Sequence, residues 1–232
     1  MALLLHIETS TRVCSVAVSR DGAVLFHKSD REGPAHATLI GPYLDGALAV
    51  IEQQGVPLDA VAVSAGPGSY TGLRIGVSAA KGVCFGRNCP LIAISTLALL
   101  ADTYRRRSDA RRDCMIRPVM DARRMEVYTA LYDVDGNEKE VMSALVVEPQ
   151  TFEAELSKTP VVFVGNGATK LATLNMGDRA IFQSDIEPLA EQMVTLAEQA
   201  FSDGRFVDVA YFEPYYIKDF VATVKKQLIP HN

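Results

Sequence analysis

Three stretches of this chain have residue types and spacings that could act on a phosphate. Gly66-Pro67-Gly68 follows the short apolar run Val61–Val63 and precedes Ser69-Tyr70-Thr71-Gly72. A strand, a glycine loop and a helix in that order can cradle a phosphate on backbone N–H groups or seat another stretch of backbone. The second stretch is the polar turn Glu8-Thr9-Ser10-Thr11. The third pairs Asp121, followed by Arg123 and Arg124, with the loop Gly165-Asn166-Gly167. Thr9, Ser10, Asp121, Gly165 and Gly167 are therefore the candidates for nucleotide contact. The pattern GPGSYTG lacks the Gly-Lys-Ser/Thr of a P-loop. Arg123 and Arg124 would also neutralise the pull of Asp121 on a metal ion.

Other chemistries find less support. His6, His27, His36 and His231 include no pair at helical ligand spacing, so no metal site and no metalloprotease are expected. His36 reads as a helix-end or interface residue. Thr9, Ser10 and Thr11 have no nearby base, and hydroxyls in such turns usually bond the backbone. Ser69 and Thr71 read as helix caps. No catalytic residue is assigned. Cys14, Cys84, Cys89 and Cys114 show no CxxC spacing, which fits reduced thiols.

Composition narrows the field further. The net charge of −5 argues against a broad nucleic-acid-binding surface. Eight arginines nevertheless fall between Arg105 and Arg124. They read as a solvated connection with Asp109 and Asp113 as counter-charges, with a partner- or RNA-facing patch as the alternative. No apolar run approaches the ~20 residues of a membrane span, and no secretory signal opens the chain. A cytoplasmic protein is expected.

The elements that must position these residues come in a duplicated order. Leu3–Ile7, Val13–Val18 and Ala23–His27 read as strands, the last two joined at Asp21-Gly22. A helix follows over Ala35–Gln54, with a kink or a start near Pro42. Next come a strand at Val61–Val63, a helix to Gly86, a strand at Leu91–Ile94 and a helix to about Arg106. Met115–Met120, Met125–Tyr132 and Glu140–Val147 then repeat the three strands. Thr151–Leu156, Val161–Val164, Ala168–Leu174, Ala180–Phe182 and Pro188–Phe201 complete the second set. This α/β fold, βββαβαβα twice over, is the order of the actin-like ATPases. The expected lobes are 1–102 and 113–232, the second ending in an aromatic tail of undetermined placement. In that class the phosphate-facing turn carries an aspartate near glycines, whereas Glu8–Thr11 has a longer acid and no glycine.

Helix-interior glycines cost about 1 kcal/mol each relative to alanine, so those after Gly72 need a reason. Gly72, Gly76 and Ala80 share one helix face. Some of these small residues must be core within the subunit, but their presence on two consecutive helices suggests contact with a partner. The expected interface is Leu39, Tyr43, Leu44, Ala47, Leu73, Gly76, Val77, Ala80 and Cys84.

Six segments carry a resemblance: IETSTRVCSVAV, SAGPGSYTGLRIG, IAISTLALLAD, MDARRMEVYTALY, FVGNGATK and the tail EPYYIKD. Spanning nearly the whole chain, they resemble the bacterial TsaB (YeaZ) family. The resemblance implies an actin-like, non-catalytic subunit for threonylcarbamoyl modification of the tRNA adenosine adjoining the anticodon. It implies docking on the catalytic paralogue TsaD through helices matching Ala35–Gln54 and Thr71–Gly86, with the ATPase TsaE joining the pair. It also implies a homodimer by the same face when the partner is absent, and tRNA contact only through the complex. TsaD carries a metal motif where this chain has Thr96 and Leu100. Family members often carry an Arg at the position of Pro34, so no role for that Arg transfers. No cofactor is required on this reading, and weak ATP or ADP binding stays open. The alternative is a stand-alone actin-like ATPase or small-molecule kinase.

Overall fold

The computed structural model describes residues 2–33 and 35–216. Pro34 and the tail from Ile217 onward, including the IKD of the tail motif, lie outside the described residues. In the first half, β1 (Leu3–Glu8), β2 (Cys14–Arg20) and β3 (Ala23–Asp30) precede α1 (His36–Gln53), β4 (Ala60–Gly66), α2 (Tyr70–Arg87), β5 (Leu91–Ser95) and α3 (Thr96–Arg105). The second half repeats that order with β6 (Met115–Asp121), β7 (Glu126–Tyr132), β8 (Glu138–Val146), α4 (Glu153–Leu156), β9 (Val161–Val164), α5 (Ala168–Leu171) and β10 (Ala180–Gln183). A 3-10 turn (Ala190–Met193) then leads into α6 (Val194–Ser202).

Two five-stranded sheets share one topology, β3-β2-β1-β4-β5 and β10-β9-β6-β7-β8. In each, an antiparallel meander meets parallel strands at its first member (β1 with β4, β6 with β9). The duplicated α/β fold expected from the element order is therefore present. β1 and β4 are buried along their whole length, which explains why they read as continuous apolar runs rather than alternating ones. Asp21 and Gly22 take φ of 51° and 81°, the left-handed pair that a two-residue hairpin turn demands.

Several boundaries differ from expectation. α1, however, spans His36–Gln53, within one residue of the expected helix at each end, and runs through Pro42, on its exposed side, rather than starting there. The expected 188–201 helix opens as the 3-10 turn, and α4 is a single turn. Ser95 caps α3, its hydroxyl accepting from Ala98 N–H at 3.4 Å.

A division at 102–113 falls between the sheets but not between the packed units. Met193, Ala197 and Ala200, from the 3-10 turn and α6, pack with Ala2, Leu4, Ala60, Ala62, Ile92 and Ile94 of the first sheet. Leu97, Leu100, Ala101 and Tyr104 of α3 pack with Ile116, Met120, Ala130 and Val162 of the second. α6 of the second half thus packs on the first sheet, while α3 packs against both, its Leu99 joining the first cluster. The segment after α6 also returns to the first half, where Val207 bridges Leu91 and Phe212 joins the core of β1, β2 and β4. These contacts tie 190–216 to the first lobe and α3 to both.

Candidate functional site

The first polar turn sits under α2. Ser69 N–H donates to Ser10 O at 2.6 Å, and Ser69 Oγ caps α2 by accepting from Gly72 N–H at 3.2 Å. A Cβ on Gly68 would lie 2.3 Å from Ser10 O, one on Gly72 2.2 Å from Thr9 O, and one on Gly76 2.1 Å from Thr9 Oγ1. None of these gaps admits a carbon atom. The glycines are a groove for the turn, and a chain lies in it where a phosphate would. Gly66, at φ +104°, is packed likewise: a Cβ there would meet Tyr215 O at 3.1 Å, and Tyr215 N–H donates to Ala65 O at 2.7 Å.

The second half closes in the same manner. Gly167 N–H donates to Val119 O at 3.0 Å, and a Cβ on Gly165 or Gly167 would come within 2.8 or 2.9 Å of that oxygen. Asn166 Oδ1 accepts from Asp121 N–H at 2.9 Å. Asp121 is held by Lys170 of α5, whose Nζ lies 2.6 Å from Asp121 Oδ1 and also donates to Arg124 O at 2.9 Å and to Glu126 O. Lys170, which ends the FVGNGATK segment, was not singled out from the sequence. It rather than Arg123 or Arg124 neutralises the acid. Those two arginines form the turn itself, at φ 69° and 48°.

Between the two turns Leu100, Met120, Ile186 and Pro188 enclose, with Thr11, Arg12, Asn166 and Glu187, a pocket of about 30 Å³. That is a water-sized space, against several hundred Å³ for a bound small molecule. Thr96 and Leu100, at the positions of the paralogue's metal motif, are both buried. Among the described residues no three His, Cys, Asp or Glu side chains converge as a metal site would require.

Beneath the first turn lies an acid that forms no ion pair among the described residues. Burial pushes the Glu8 carboxyl up to about 7, against the hydrogen bonds that favour its ionised form. Ser10 N–H donates to Oε1 at 2.5 Å, while Oε2, Thr9 Oγ1 and Ser10 Oγ lack well-placed partners. His6 on the same strand is kept neutral, driven down to about 3 by burial, with Nε2 2.8 Å from Ser19 Oγ. His36 anchors the start of α1 through Nε2, 3.0 Å from Val13 O.

The arginine-rich connection resolves into ion pairs. Arg107 meets Asp109 at 2.8 Å and Arg111 meets Asp113 at 2.7 Å, as the counter-charge reading expects. Arg105 and Arg106 both reach the buried Asp102, at 2.6 and 3.2 Å. Arg117 turns inward and is itself buried, 2.7 Å from both Glu140 and Glu155, with its guanidinium 5.1 Å from the Phe152 ring centre. A groove of about 480 Å³ runs beside Arg31, Arg106 and Arg107, but Asp185 and Glu187 line it too. Of the eight, Arg112, Arg123 and Arg124 are exposed and form no ion pair among the described residues.

Most of the expected partner interface faces inward. Ala47, Leu73, Gly76, Val77, Ala80 and Cys84 are all buried within the chain, and Leu39, Tyr43 and Leu44 only half so. A different stripe faces outward on the same helices. A Cβ on Gly41, Gly82 or Gly86 would meet nothing within 4 Å, and Phe85 is 89% exposed. Thr38, Gly41, Asp45 and Ala49 of α1 and Ser78, Gly82, Phe85 and Gly86 of α2 make up this surface. Glu52 and Arg87, 2.8 Å apart, pin the two helices together at its edge.

The fold and motifs can now be set beside known proteins. Residues 32–226 match the family model described as TsaD, tRNA N6-adenosine threonylcarbamoyltransferase. The chain is 33% identical over 234 residues to the tRNA threonylcarbamoyladenosine biosynthesis protein TsaB of Escherichia coli, covering 96% of this chain and 97% of that one. This chain belongs to the TsaB (YeaZ) family. The TsaB of Bacillus subtilis is 32% identical over 166 residues, covering 70% of each chain. The structure of YeaZ from Pseudomonas aeruginosa superposes with a TM-score of 0.77 at 27% identity, covering 93% of this chain and all of that one. The actin-like two-lobed architecture is thus shared with a solved TsaB-family structure. No helix among the described residues is long and apolar enough to cross a membrane.

Proposed function

We propose that this chain is a non-catalytic subunit for threonylcarbamoyl modification of tRNA. In this reading it docks through the outer face of α1 and α2 on a catalytic partner of the TsaD kind, with TsaE joining the assembly. Alone, it pairs with a second copy by the same face, and tRNA is met only through the complex. The observation that carries the reading is the outward stripe of Gly41, Gly82, Phe85 and Gly86. A large aromatic ring exposed beside glycines that touch nothing is costly to leave in water and lets a second pair of helices approach closely.

A subunit without its own chemistry also fits the cleft. Leu100 and Met120 line the small pocket between the turns, Lys170 occupies Asp121, and Thr9 and Ser10 lie under α2. Weak ATP or ADP binding would require the segment Ile186–Pro188 to move out of that cleft. The stand-alone ATPase or kinase reading has no observation in its favour.

Reconstitution of tRNA modification with and without this chain is the direct test. Product formation should depend on its addition, and full activity in its absence would overturn the proposal. Purified chain alone should not hydrolyse ATP; hydrolysis lost on Asp121→Ala would favour the stand-alone enzyme.

A further inference from the structure

The C-terminal end of α2 brings two cysteines together. Cys84 lies in its last turn, and Asn88, left-handed at φ 50°, ends the helix. Cys89 N–H then donates back to Cys84 O at 3.1 Å. A bond from residue i+5 to residue i after a left-handed cap is the turn in which those two side chains meet. The helix end thus brings together the two positions that a disulfide, whose Cα atoms usually lie about 4.4–6.8 Å apart, would join. The Cys84 thiol lies over the same backbone, Sγ to Pro90 O at 3.5 Å. Both cysteines are buried, Cys84 at 1% exposure and Cys89 at 8%.

We propose that Cys84 and Cys89 are a redox-active dithiol, a modification site at which a hydroperoxide forms an intramolecular disulfide. Cys89 is the attacking group. The Cys84 thiol beside it and the nearby Arg87 charge hold its thiol below the usual range, against burial, while Cys84 is raised. The Cys89 thiolate attacks one peroxide oxygen, the O–O bond breaks, and the departing oxygen takes up a proton. Cys89 is left as a sulfenic acid. Cys84 sulfur then displaces that hydroxyl, the S–O bond breaks, and the Cys84 proton leaves with it as water. The two thiols lose two electrons in all and the peroxide gains them. Phe85 and Gly86 lie inside the closed loop, so the oxidation state is felt on the docking face. That last consequence rests on the proposed function; the disulfide itself does not.

The experiment treats the full, folded chain with hydrogen peroxide at about pH 8, where thiolates form. Free thiols are then alkylated and the protein is cut with trypsin, which separates the cysteines at Arg87. The expected product joins Gly82–Arg87 to Asn88–Arg105, lighter than their sum by two hydrogens and split by a reductant. Cys14 and Cys114 should remain alkylated. In Cys84→Ser, Cys89 should stop at the sulfenic acid or go on to higher acids; in Cys89→Ser, Cys84 should stay reduced. Peptides that remain separate, a link to Cys14 or Cys114, or oxidation of Cys84 in the Cys89→Ser chain would each overturn the assignment. If the disulfide forms and partner affinity is unchanged, the modification site stands and its coupling to docking fails.

Discussion

Replacing Gly76 by alanine tests whether the glycines of α2 exist to seat the chain's own turn. The new Cβ would lie 2.1 Å from Thr9 Oγ1, 3.3 Å from Thr9 Cβ and 3.4 Å from Thr9 Cγ2. Relieving the first contact requires a shift of about 1 Å between α2 and the turn, and overpacking of this kind costs about 1–3 kcal/mol. Alanine recovers about 1 kcal/mol of helix propensity, so a net loss of up to about 2 kcal/mol is expected. Thr9→Ala removes both the 2.1 Å and the 3.4 Å contacts. The double variant Gly76→Ala/Thr9→Ala should therefore be more stable than the sum of its singles by about 1 kcal/mol or more. Gly72→Ala meets Thr9 backbone oxygen at 2.2 Å, which no change at the Thr9 side chain removes. Its loss, roughly 3 kcal/mol, should persist in the Thr9→Ala background. Gly82→Ala, with nothing nearby, should gain up to about 1 kcal/mol. Urea denaturation midpoints measure each of these variants. Additive Gly76 and Thr9 effects, or a Gly76→Ala chain as stable as Gly82→Ala, would refute the seating argument.

Further consequences follow from the buried charges and caps. The Glu8 carboxyl titrates near 7 when folded and near 4.5 when unfolded. An acid raised on folding destabilises increasingly as pH climbs between those values and uniformly above them, by up to about 3 kcal/mol for such a shift. Glu8→Gln should accordingly raise the denaturation midpoint at pH 8 relative to wild type and lose most of that advantage by pH 4; a difference independent of pH would contradict the buried acid. Glu155→Ala strands the Arg117 guanidinium with only the exposed Glu140 and should cost roughly 3 kcal/mol, read by the same titration. Ser69→Ala removes the α2 cap and should cost about 1 kcal/mol, with Ser69→Asp preserving stability.

The element order was legible because the apolar runs, helical spacings and Asp-Gly turn each report local geometry. Which way α2 faces was not. Gly72, Gly76, Ala80 and Cys84 form one row four apart, and Ser78, Gly82 and Gly86 form another. Both are small, so composition alone cannot choose the buried one. Only the Thr9–Ser10 turn, more than sixty positions earlier, decides it. The same limit hid the Lys170–Asp121 pair, whose members are 49 residues apart. It also hid where α3 and α6 pack, since an apolar stripe on either helix says that a sheet covers it, not which sheet. The missing P-loop lysine weakened the phosphate reading of Gly66–Gly68, but that Ser10 and Tyr215 of the same chain lie against these glycines was not legible.

The central claim is that the outer face of α1 and α2 docks a catalytic partner. Titration calorimetry of the TsaD-type partner against wild type and Phe85→Glu tests it most directly, with urea denaturation run in parallel. Phe85 makes little use of its own chain at 89% exposure, so the variant should unfold at the wild-type midpoint. Its affinity for the partner should fall by roughly 30-fold or more, as for the loss of an interface anchor. Wild-type affinity in a fully folded Phe85→Glu chain would contradict the account.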